Sequence, residues 1–157
     1  MTRQAVLFGF AVLAAGCAGD GLQTARPDSF DVTLAPATIN AGRVGRAYFT
    51  SAGERTHIRV EVSGVPNDVT RPVHLHVGIY GGRCGALPAD PLFNLPNVLA
   101  TSVRNPAELS PVTGPFAVTN DAPMSLAQLR TGGYALVIHT APQDGNREIF
   151  CATIAGS

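Results

Sequence analysis

The chain has 157 residues, 45% hydrophobic and 14% charged, with eleven basic residues against eleven acidic ones. That length supports one domain of ordinary size with a real core. Balanced charge without a basic run argues against nucleic acid and against a polybasic membrane patch. Seventeen glycines and twelve prolines, spread over many short segments, point to a turn-rich β protein rather than a helix bundle.

At the N-terminus, Arg3 precedes an apolar run from Ala5 to Ala15, which ends in Gly16-Cys17. A positive start, an apolar stretch and small residues at its end make a secretory signal over residues 1–16. The run falls short of the roughly 20 apolar residues that a membrane-spanning helix needs. Its tail, Leu13-Ala14-Ala15-Gly16-Cys17, resembles the bacterial lipobox. That resemblance implies that Cys17 is lipidated, becomes the new N-terminus and anchors the protein to a membrane of the bacterial envelope, facing the periplasm or the exterior. Residues 17–29 then form a polar tether and 30–157 the folded domain. With Cys17 accounted for, the odd count of three cysteines leaves Cys84 and Cys151, which should pair in an oxidising compartment.

Along the domain, Phe30–Leu34 alternates as a strand and stops before Pro36. Arg46–Thr50 and Thr56–Val62 are two further strands around the hairpin loop Ser51-Ala52-Gly53-Glu54. In the second of them Ile58, Val60 and Val62 share one face, and His57, Arg59 and Glu61 the other. Val73–Tyr80 alternates with Val73, Leu75, Val77 and Ile79 toward the core and His74 and His76 away from it. Weaker strand patterns cover Val98–Val103 and Phe116–Thr119, and the stretch from Pro88 to Pro115 reads mostly as loop. Ser125–Arg130 predicts a short helical turn with Leu126 and Leu129 inward, ended by Gly132-Gly133. Tyr134–Thr140 and Glu148–Ile154 are the last two strands. Short strands at turn-punctuated intervals predict an all-β fold, an antiparallel Greek-key sandwich or flattened barrel.

The chemistry centres on histidine. His74 and His76 are two apart in one strand, so both side chains leave the same face about 6.6 Å apart along it. His139, inside another apolar strand, can supply a third nitrogen. Three imidazoles without thiolate suit copper or zinc. His57 shares its face with Arg59 and Glu61 and reads as a solvated surface residue. There is no nucleophile elbow, phosphate loop or His-Glu-x-x-His motif, and 6% aromatic residues offer no stacking platform for sugars or bases.

Together, Val73-His74-Leu75-His76, Cys84, Ala135-Leu136-Val137-Ile138-His139 and Glu148-Ile149-Phe150-Cys151-Ala152-Thr153-Ile154 resemble the copper–zinc superoxide dismutase family over roughly residues 55–154. Val60-Glu61-Val62-Ser63-Gly64-Val65 looks like the strand and turn that precede that family's copper strand. The resemblance implies a superoxide dismutase-like β domain with His74, His76 and His139 as copper ligands and Cys84–Cys151 as its disulfide. The same stretches are similar to small bacterial lipoproteins carrying His-x-His, and His-Leu-His-Val-Gly has some likeness to chordin-type domains. In Asp90-Pro91-Leu92-Phe93-Asn94, Leu92 stands where the family has its bridging histidine. No histidine lies between His76 and His139, so zinc is not expected. Glu148 occupies the register of the family's anion-guiding arginine. Arg147, one position off, can guide an anion such as superoxide only if a bulge or loop redirects it.

These readings predict an extracytoplasmic copper-binding, superoxide dismutase-like lipoprotein. The alternatives are an active copper-only dismutase, in which superoxide supplies and removes one electron at copper, and a metal-free structural or interaction sandwich of the envelope. The last would be marked by histidines that fail to converge.

Overall fold

The computed structural model describes residues 28–109 and 111–155; the predicted leader and most of the tether, with Cys17, lie outside the described residues. Ten strands and one short helix follow in chain order. They are β1 (Ser29–Pro36), β2 (Gly45–Ala52), β3 (Arg55–Val62), β4 (His74–Gly81), β5 (Phe93–Asn94), β6 (Val98–Leu99), β7 (Thr101–Ser102), β8 (Phe116–Ala122), α1 (Leu126–Arg130), β9 (Tyr134–Thr140) and β10 (Glu148–Ile154).

All strand pairs are antiparallel, and the fold is an all-β flattened barrel. The strand order is β5-β4-β9-β10-β1-β2-β3-β8-β7, with β6 also on β4. Two sheets share β1. Its residues Ser29–Leu34 pair with β2, while Ala35 and Pro36 pair with Cys151 and Phe150 of β10. Because β3 borders β8 while β4 borders β9, the β3–β4 and β8–β9 connections both pass from one sheet to the other.

Local chemistry explains the element ends. Ala52 pairs with Arg55, so the β2–β3 loop is shorter than the sequence suggests. Gly53, at the first central position, takes the positive φ of 68° that a two-residue turn of this kind demands. Ser125 caps α1, its hydroxyl accepting from the Gln128 N–H while the Gln128 side chain reaches back. The predicted strand Val98–Val103 is instead two short pieces. Ala100, between them, donates its N–H to the Val73 carbonyl at 2.8 Å. There the chain crosses from β4, which β6 borders, to β8, which β7 borders.

Between the sheets, Leu34, Phe49, Ile58, Val60 and Val62 of one meet Leu75, Val77, Ile79, Leu136, Ile138 and Phe150 of the other, all buried. The outer face of the β1-β2-β3-β8 sheet is polar, with Arg46–Asp31 and Arg59–Glu61 ion pairs and a His57–Asp121 hydrogen bond. The outer face of the β4-β9-β10 sheet is not. There Tyr80, Ala135, Val137 and Cys151 form a second apolar cluster, covered by Cys84 and Leu87 from the loop after β4. Cys84 and Cys151 are joined in a disulfide, which staples that loop to β10 across 67 residues of sequence.

A link of this span restricts the unfolded chain by about 4 kcal/mol. Cys84→Ser/Cys151→Ser should therefore lower the unfolding free energy by several kcal/mol and bring the denaturant midpoint down with it, and an unchanged midpoint would show that the loop holds without the disulfide.

Candidate metal centre

In β4, residues 74, 76, 78 and 80 alternate outward, so His74, His76, Gly78 and Tyr80 share the outer face of their sheet. The neighbouring strand β9 brings His139 directly opposite His76 in register. Their ring centroids are 6.0 Å apart and tilted by 42°. Tyr80 folds back over Gly78, where an added Cβ would lie 2.7 Å from Tyr80 Cε2. Its ring centroid comes within 6.1 Å of that of His139. Both Tyr80 and His139 are only 9% exposed.

Hydrogen bonds orient two of the three histidines. His76 Nδ1 lies 3.2 Å from Asn146 Oδ1, and His74 Nδ1 lies 3.1 Å from the Pro72 carbonyl. Carbonyl oxygens only accept, so each Nδ1 is the donor in its bond and each Nε2 is the ring nitrogen left for another partner. Metal-ligating histidines are held in this way. His139 Nδ1 is buried without any partner. Burial, and after it the proximity of His76, push the His139 pKa down from 6.5 to about 4, so its imidazole is neutral at physiological pH.

The structure thus brings His76 and His139 together but leaves His74 apart. His74 lies on the same face and forms no ring pair with the other two. Among the described residues no group of three or more His, Cys, Asp or Glu side chains is gathered to hold a metal. The donor chemistry nonetheless fits copper. His139 offers a neutral nitrogen, buried and unsatisfied, with the His76 ring beside it. Two imidazoles on one ion, at metal–nitrogen bonds of about 2 Å, have centroids roughly 5–6 Å apart.

The surroundings are acidic rather than basic. β10 is bulged between Glu148 and Phe150, and Glu148 takes the register position opposite His139. Burial first, then the charges of Glu148 and Asp90, raise the Tyr80 phenol above its ordinary pKa of 10.0. Arg147 is engaged elsewhere. Its guanidinium meets Asp68 at 2.9 Å and the Asp144 carbonyl at 3.1 Å. Leu92 is 56% exposed and nearest Gly81. His57 is exposed on the other sheet, 2.9 Å from Asp121.

No protein-family model, curated protein or solved structure matches this chain. The geometry therefore carries the functional reading by itself.

Two members of this face escaped the sequence reading. Tyr80 shares the outward parity of His76, and Gly78 between them leaves room for its ring, so counting by twos along β4 would have found it. Asn146 sits at a positive φ of 49° just before β10, and its contact with His76 spans 70 residues, which no local pattern encodes.

The depressed His139 pKa has a signed consequence in the metal-free protein. The unfolded chain takes up a proton near pH 6.5 and the folded one only near 4, so stability should fall as pH drops through that window. A ring titration of His139 followed by NMR should give a midpoint near 4. A midpoint at 6.5 would mean that the ring is hydrated rather than buried.

Proposed function

We propose that the outer face of β4 and β9 is a copper site, and that the protein is an extracytoplasmic, lipid-anchored copper-binding protein of superoxide dismutase-like build. The observation that carries this reading is the cross-strand His76–His139 pair, with the His139 nitrogen buried and unpartnered. His74, on the same outward face of β4, is the third histidine of the set. The Cys84–Cys151 disulfide favours an oxidising compartment, in keeping with a leader over residues 1–16 that ends just before Cys17. Copper held here supplies a Cu(I)/Cu(II) couple. The protein's own part is to present neutral nitrogens from rigid strands and to keep His139 unprotonated.

Binding is favoured over dismutation. Superoxide is an anion, and the charges that act on Tyr80 of this face are the carboxylates of Glu148 and Asp90, while Arg147 is paired with Asp68. Such a field attracts a cation and opposes an anion.

The mature chain should take up one equivalent of copper, and dismutase turnover should stay at the level of the copper-free protein. His76→Ala and His139→Ala should each weaken binding more than about tenfold, since even changes to groups that only orient a ligand cost about 10–100-fold. Failure to bind one equivalent would leave a metal-free sandwich of the envelope. Turnover far above background would make the protein an active copper-only dismutase.

A further inference from the structure

A tyrosine ring also stands beside the histidine pair. Tyr80 lies beside His139 at the same centroid separation as His76, and it is nine-tenths buried. The histidine and tyrosine side chains of this face make two hydrogen bonds among the described residues, His74 to Pro72 and His76 to Asn146. Neither the Tyr80 hydroxyl nor His139 takes part in one. The Tyr80 ring lies back along β4 over Gly78, in space that exists because residue 78 has no side chain. Among the described residues the buried polar atom of this face without a partner is His139 Nδ1, whereas the Tyr80 hydroxyl reaches solvent at the edge of the same face and is open to a ligand.

We propose that Tyr80 is a metal ligand, completing a His76–His139–Tyr80 donor set for Cu(II). This rests on the copper reading above and replaces His74 by Tyr80 as the third protein donor. On binding, the phenol O–H bond breaks, its proton passes to bulk water, and the phenolate oxygen forms the bond to copper; no electron moves in that step. A charged oxygen donor favours the harder, oxidised ion, as carboxylate and water do relative to thiolate or thioether. His74, which among the described residues forms no ring pair with His76 or His139, stays outside the set. Gly78 is the positioning residue. A methyl there displaces the Tyr80 ring while leaving its hydroxyl chemically intact.

The test is titration of the mature chain with Cu(II), reading both affinity and the visible phenolate-to-copper charge-transfer absorption. The wild type should develop that band at one equivalent. Tyr80→Phe retains the ring over Gly78, so it should keep the fold, lose the band and weaken binding at least about tenfold, in line with the loss of a coordinating group. Gly78→Ala should lose the band with Tyr80 still present, and His74→Ala should keep it. If copper binds at one equivalent without the band, or if His74→Ala and not Tyr80→Phe weakens it, the tyrosine assignment is overturned and the three-histidine site stands. If the wild type does not bind Cu(II), both readings fall together.

Discussion

Strand β9 is enclosed on both faces, and the character of the histidine face follows from that enclosure. Its inner face, Leu136 and Ile138, joins the main core. Its outer face, Ala135 and Val137, is covered by Tyr80, Cys151, Cys84 and Leu87. A strand in an antiparallel sheet commonly keeps one face in water. Here the loop after β4 takes the place of water, and the disulfide ties it down. His139, next along the outer face, is buried with the Tyr80 ring beside it, and burial makes its imidazole neutral. A neutral, buried, unpartnered imidazole is a ready ligand and a poor surface residue.

The two outer faces of the barrel show the contrast. On the β1-β2-β3-β8 sheet, His57 is exposed and paired with Asp121, one of several ion pairs on a solvated surface. Such exposed pairs contribute little to stability. On the β4-β9-β10 sheet, histidine stands among apolar groups with few partners. The same residue type therefore has opposite meanings on the two sheets, and the difference lies in what covers each face. Glu148 adds to this. The bulge in β10 sets its register opposite His139, while Arg147 turns to Asp68.

Most strands were legible because they are covered on one face. The pattern of β3, with Ile58, Val60 and Val62 buried and alternate residues outward, reads directly as period two. The helical turn was equally plain from Leu126 and Leu129, with Ser125 ahead and Gly132-Gly133 behind. Val98–Val103 misled because its residues carry strand propensity but serve two sheets in turn, and a crossover must break at Ala100. In β9, buried on both faces, alternation disappears, so His139 stood out as a histidine in an apolar run while its neighbours stayed hidden.

The sequence by itself determined the all-β class, nearly every strand, the outward parity of His74 and His76, and the pairing of Cys84 with Cys151. These follow from local periodicity, turn chemistry and cysteine count. Only the tertiary structure decided which groups meet. Register set His139 against His76 rather than His74, the space over Gly78 let Tyr80 lie back toward them, and the β10 bulge placed Glu148 beside the pair while Arg147 went to Asp68. Each is a contact between residues far apart in the chain or a matter of unfilled space, and neither leaves a trace in local pattern.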